Sequence, residues 1–179
     1  MFLANGFEEI EAITPLDILR RANLPIETVS VDGNGLFVEG AHGIVVRADI
    51  MLSDVKEDEA GMIILPGGSR GTEGLESSKE LEALLDHAVR REIYIAAICA
   101  APTILAKRGY LKKCRATCYP SLALELMENG AKYKNEKVVV DKNFITSEGA
   151  GTAADFGFCL VDKYLSRKDT DTLRLSMVF

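Results

Sequence analysis

Apolar and polar positions alternate in blocks along this chain. Short apolar runs of strand length are separated by stretches in which apolar residues recur every three or four positions. The first run, Met1 to Ala4, is short for a buried strand and reads as cut off at its start. A helical segment follows with Ile10, Ile13, Leu16 and Leu19 on one face, and Pro15 predicts a kink or a boundary within it. Ile26 to Val31 reads as a second strand. Leu36 to Val46, interrupted by Gly40 and Gly43, reads as a hairpin. Met62 to Leu65 is a strand that runs into Pro66-Gly67-Gly68. Ser77, with Glu80 three residues on, predicts a capping box for a helix with Leu81, Leu84, Leu85, Ala88 and Val89 on its inner face. Tyr94 to Ile98 is another buried strand, and Pro102 sits in the first turn of a helix that stops near Gly109. Ser121 to Asn129 is a helix closed by Gly130. Val138 to Asp141 and Phe144 to Thr146 flank a turn at Lys142-Asn143. A last long helix spans Thr152 to Leu165, with Phe156, Leu160 and Tyr164 on one face.

Strands alternating with helices predict an α/β fold with a mostly parallel sheet covered on both faces. No linker or repeat divides the chain, so residues 1–179 read as one domain. Ligands of such sheets bind beyond the carboxyl ends of the strands. Two loops of unusual composition fall there, Pro66-Gly67-Gly68 and Cys99-Ala100-Ala101-Pro102. Composition narrows the partners. Apolar residues at 47% rule out a disordered chain, and a net charge of −6 without a basic run argues against nucleic acid and anionic membrane. No apolar stretch reaches the length of a membrane span, and the N-terminus shows no signal-peptide pattern. The four cysteines read as reduced thiols of a cytoplasmic protein. Cys114 and Cys118 lack two further ligands at zinc spacing, since the two histidines lie far off at His42 and His87, so no metal is expected.

Cys99 carries the candidate chemistry. A buried strand ends there and a helix begins almost at once, which places the side chain on a tight turn like a nucleophile elbow. Ala97, Ala100 and Ala101 leave room for a cramped backbone, and the helix start aims unpaired N–H groups at the sulfur. A thiolate is expected in that setting; the plainer alternative is a small buried apolar residue. Glycine N–H groups of the 66–68 loop could receive an oxyanion formed when the sulfur attacks a carbonyl. Glu8, Glu9 and Glu11 follow the first strand at the same edge of the sheet. They suit a helix N-terminus, but one of them, buried and protonated, could shuttle a proton to the thiol. His42 leaves a Cys-His hydrolase as a weaker option; surface or interface placement suits it better.

Four segments together resemble the DJ-1/ThiJ/PfpI family over nearly the whole chain: Ala4-Asn5-Gly6-Phe7-Glu8-Glu9-Ile10-Glu11, Leu65-Pro66-Gly67-Gly68, Ala96-Ala97-Ile98-Cys99-Ala100-Ala101-Pro102, and Thr146-Ser147-Glu148-Gly149-Ala150-Gly151-Thr152. The nearest branch is the DJ-1 and YajL type. The resemblance implies a flavodoxin-like three-layer sandwich and a homodimer without cofactor. It also implies that Cys99 is a nucleophile readily oxidised to a sulfinic acid, and that Glu11 is the protonated carboxyl beside it. Backbone N–H groups of the glycine loop (Gly67, Gly68) and of Ala100 would form the oxyanion site, with Tyr119 shaping the pocket. The activity implied is that of a glyoxalase or deglycase on methylglyoxal, glyoxal or their early glycation adducts. A redox sensor or chaperone using the same cysteine is the alternative. Ala100 stands where the protease-like branch has His, which argues against peptidase activity. Tyr119 replaces a His found in some members, and Glu148 and Ala150 replace Arg or Gln and Pro. These changes add negative charge near the pocket mouth.

Overall fold

The computed structural model describes residues 1–33 and 35–179. In chain order its elements are β1 (Phe2–Leu3), α1 (Glu9–Arg21), β2 (Val29–Ser30), β3 (Phe37–Glu39), β4 (Val45–Arg47), β5 (Ile50–Met51), β6 (Met62–Leu65), α2 (Ser69–Ser77), α3 (Lys79–Arg90), β7 (Tyr94–Ile98), α4 (Pro102–Lys107), β8 (Arg115–Ala116), α5 (Ala123–Glu128), β9 (Lys132–Tyr133), β10 (Val138–Asp141), β11 (Phe144–Ser147), α6 (Ala153–Val161) and α7 (Arg167–Ser176). Strands pair in the orders β1-β2-β5 and β10-β11-β7-β6, and β1 packs beside β6. All of these pairings are parallel except β10 with β11. The fold is the expected flavodoxin-like α/β sandwich.

Residues along β7 alternate between two cores, as a pleated strand requires. Ile95 and Ala97 join a core covered by α2, α3, α4 and α5, whereas Ala96 and Ile98 join one covered by α1 and α6. A strand buried on both faces reads as an unbroken apolar run, which is why β7 was legible to the residue. Among the described residues no helix is long and apolar enough to cross a membrane.

Several expectations are corrected. Pro15 does not end α1 but lies inside it, leaving the Glu11 carbonyl without its helical donor. Ile10 and Ile13 are at the surface, because the buried stripe of α1 runs through Glu11, Ala12, Pro15, Leu16, Ile18 and Leu19. Packing on α6 turns the helix this way: Gly157 is the close-approach point, where an added Cβ would lie 3.0 Å from Pro15 Cα. Ser77 ends α2, a helix the sequence did not announce, and the cap of α3 is Ser78, whose Oγ accepts from Leu81 N–H at 3.2 Å. The second strand contracts to Val29–Ser30. The last predicted helix closes at Val161, and a separate α7 follows, capped by Ser166.

Candidate active site

Cys99 stands at the carboxyl end of β7 with φ +64°, a left-handed conformation that a β-carbon disfavours. Its backbone is held on both sides. The N–H donates to the Ser147 carbonyl of β11 at 3.0 Å, and the carbonyl accepts from Tyr119 N–H at 2.8 Å. These two bonds over-determine the turn.

Glu11, in the first turn of α1, comes to the same point and is almost fully buried. Its Oε2 accepts from Gly67 N–H at 3.0 Å, and its carboxyl lies against the Cys99 side chain across the same glycine. Gly67 has no room for a side chain: a Cβ would lie 2.5 Å from Glu11 Oε2 and 2.7 Å from Cys99 Cβ. Gly68, at φ +92°, turns the chain so that its N–H joins that of Ala100 in facing the sulfur. Gly149 forms the opposite wall. Its missing Cβ would stand 3.7 Å from Glu11 Oε1, 3.9 Å from Cys99 Sγ and 3.6 Å from the Tyr119 ring.

Burial pushes Glu11 up to about 7, and the Glu8 charge adds to this, while hydrogen bonds from Cys99, Gly67 and Ala150 pull the other way. Burial, then the charge of Glu11 and the hydrogen bond to it, push the Cys99 thiol up to about 12, against the pull of the Ala100 and Gly68 amides. The acid thus opposes the amides in setting where the expected thiolate forms. Amides alone do not ionise this sulfur, because a buried acid sits against it. Above about 7 the pair carries one negative charge and one proton between acid and thiol.

The structure thus brings Cys99, Glu11, Gly67, Gly68, Ala100 and Tyr119 together, with one change of role. The Gly67 amide is occupied by Glu11 and supports the carboxyl; only the Gly68 and Ala100 amides face the sulfur. Tyr119 is half exposed at the mouth. His42 is elsewhere: its Nδ1 lies 2.8 Å from Glu9 Oε2 and 3.7 Å from Glu8 Oε1, and its ring is largely in solvent. That geometry leaves no imidazole on the thiol. Glu8, Glu9 and His42 form the one group of potential metal ligands among the described residues, their ligand atoms within 4.8 Å of one another. The Glu9–His42 ion pair already satisfies it. Burial works against the Glu9 charge, but bonds from the His42 ring and the His42 and Ile44 amides outweigh it and hold that carboxyl down at about 2. Cys118 is buried and directs its thiol to the Tyr119 carbonyl.

Sequence reasoning missed the roles of Ser147, which holds the backbone of Cys99, of Gly149, which forms the pocket wall, and of Ala150, whose amide favours the charged acid. Their only signal was membership of the fourth resembling segment.

The profile of the DJ-1/PfpI family matches residues 1–163. Over 166 residues the chain is 34% identical to the glutathione-independent glyoxalase DJR-1.2 of Caenorhabditis elegans, covering 93% of this chain and 87% of that protein. It is 33% identical over 167 residues to Protein DJ-1 homolog B of Arabidopsis thaliana, covering 93% of this chain but spanning only 37% of that longer protein. The structure of Drosophila melanogaster DJ-1beta superposes with a TM-score of 0.94 at 32% identity, covering 99% of this chain and 95% of that one.

Proposed function

Because the chain belongs to the DJ-1/PfpI family, we propose that Cys99 and Glu11 are the nucleophile and proton carrier of a cofactor-independent enzyme acting on 2-oxoaldehydes such as methylglyoxal and glyoxal, or on the early glycation adducts they form. The observation that carries this reading is the buried Glu11 carboxyl set beside Cys99 across Gly67, with the Gly68 and Ala100 amides on the sulfur's other side. The name of the nematode relative, a glutathione-independent glyoxalase, supports the substrate class.

The steps follow from the geometry. As Sγ bonds to the aldehyde carbon, the thiol proton passes to the Glu11 carboxylate. Negative charge gathering on the carbonyl oxygen is received by the Gly68 and Ala100 N–H groups. Glu11 gives that proton to the oxyanion, and as a carboxylate again it takes the hydrogen of the former aldehyde carbon and delivers it to the neighbouring carbonyl carbon, while the hydroxyl proton passes from the first oxygen to the second; the hemithioacetal becomes a thioester of a 2-hydroxy acid and Glu11 is again a carboxylate. Water cleaves the thioester, releases a 2-hydroxy acid and restores the thiol. Methylglyoxal and one water thus become lactate, with no external oxidant or reductant. Tyr119 and Gly149 shape the entrance.

The test is lactate formation from methylglyoxal by wild type and by Cys99→Ala. Wild type turns over and the variant does not; equal rates from both would remove Cys99 from the chemistry. A second reading, oxidation of Cys99 as a sensor, is favoured by the same two amides, which suit the oxygens of a sulfinate. It requires Cys99 to gain two oxygens under mild peroxide before Cys159 does. In either role we propose a homodimer through the surface formed by Ile10 and Ile13 of α1 with Ile44 and Val45 of the hairpin, all well exposed.

A further inference from the structure

Thr152 occupies the position that caps α6, where a threonine hydroxyl ordinarily accepts from an amide of the first helical turn. Here it makes no such bond. The hydroxyl turns back instead, accepting from Gly149 N–H at 3.1 Å, reaching Gly149 O at 2.8 Å and meeting Ser147 Oγ at 2.7 Å. Ser147 Oγ in turn donates to the Lys137 carbonyl at 2.7 Å. Both hydroxyls are buried.

This brace lies between the two halves of the site. Its Ser147 end receives the Cys99 N–H through the Ser147 carbonyl. Its Gly149 end forms the wall beside Glu11 Oε1 and Cys99 Sγ, and the next amide, that of Ala150, faces the Glu11 carboxyl and favours its charged form. One six-residue segment, 147–152, therefore grips the thiol's backbone and the acid's head group together. Two buried hydroxyls set its internal spacing.

We propose that Thr152, acting through Ser147 and Gly149, is a positioning residue that holds Glu11 and Cys99 in register for proton exchange. This rests on the reading of the pair given above. Thr152 touches neither the sulfur nor a substrate. Without its hydroxyl the 149–150 turn relaxes, and the Ala150 amide leaves the carboxylate. Glu11 then keeps its proton to higher pH, and the sulfur becomes available later.

The experiment is the pH dependence of Cys99 alkylation by iodoacetamide, followed by mass spectrometry of the intact chain. Thr152→Val should raise the midpoint by about half a unit or more, the effect of weakening one bond to a charged carboxyl. Thr152→Ser, which keeps the hydroxyl, should hold the wild-type midpoint. Thr170→Val, at a buried threonine of α7, controls for stability: it should lower the melting temperature and leave the midpoint alone. Should Thr152→Val not fold, Ser147→Ala removes the other hydroxyl, keeps the carbonyl on Cys99 and should shift the midpoint in the same direction. A midpoint unmoved in whichever variant folds, or moved equally by Thr170→Val, overturns the proposal. If wild-type Cys99 is alkylated no faster than Cys159, the reading of the pair falls and takes this one with it. Preferential labelling with an unmoved midpoint overturns the brace alone.

Discussion

At Gly67 the backbone passes between an acid and a thiol, with 2.5 Å and 2.7 Å left on either side of a side chain that is not there. Even a methyl group must push Glu11 and Cys99 apart, since neither helix α1 nor strand β7 yields readily. Gly67→Ala is expected to slow Cys99 alkylation at pH 7.5 by about tenfold or more while the far-ultraviolet spectrum stays native, because overpacking of one site costs about 1–3 kcal/mol. A wild-type alkylation rate would show that the pair tolerates separation. The second expectation at this scale concerns the shared proton. Burial raises Glu11 to about 7, so below that value both groups are protonated and the sulfur is inert. Alkylation of Cys99 should therefore rise through about 7 as the first proton leaves the pair. Glu11→Gln cannot take the thiol proton. Its alkylation curve should lose the inflection near 7 and rise only at higher pH, as a buried thiol does alone. The same inflection in wild type and Glu11→Gln would assign it to some other group.

Among the elements, α1 is the one whose placement matters most, because it carries Glu11 into the sheet's edge while crossing α6. The crossing is tight at Gly157, where an added Cβ would come 2.8 Å from Ile18 Cδ1 and 3.0 Å from Pro15 Cα. The first contact is the end of a flexible side chain, but the second is backbone and cannot move without α1. Gly157→Ala should destabilise the fold by about 1–3 kcal/mol, read as a fall in the denaturation midpoint. It should also weaken Cys99 reactivity, because Glu11 moves with the helix. A stable variant with unchanged reactivity would mean that α1 adjusts independently of the site.

For the whole molecule, Glu9 and Glu11 oppose each other although they lie two residues apart on one helix. Glu9, bonded to His42 and two amides, is held down at about 2, so its contribution is present above the ordinary carboxylate value and lost as pH falls through about 2. Glu11 is raised to about 7, so the folded state keeps a proton that the unfolded chain has released. That favourable difference is complete below about 4.5 and disappears as pH rises through about 7, a change on the order of 3 kcal/mol. Glu11→Gln should flatten the loss of stability between pH 5 and 8, measured by denaturant titration; an unchanged slope would place its cause in other groups. Association belongs to this scale as well. Ile13→Asp with Val45→Asp should give a monomer in sedimentation if the exposed face of α1 and the hairpin joins two copies, and an unaltered mass would exclude that face.

Periodicity and turn chemistry determined much of this protein. Strands that are buried on both sides, such as Tyr94–Ile98, and loops forced by glycine, such as 66–68, announce themselves locally, and so does a cysteine wedged between a strand and a helix. That was enough for the α/β class and for Cys99. Glu11 had to be picked from three neighbouring acids by resemblance, because the residues that bury it belong to distant elements. Only tertiary structure decided which face of α1 turns inward, that the Gly67 amide serves the acid, that His42 belongs to Glu9, and that Glu11 is the acid set against the sulfur. Each of these depends on a group far away in sequence. Burial and proton affinity are sums over such neighbours, which a local pattern does not contain.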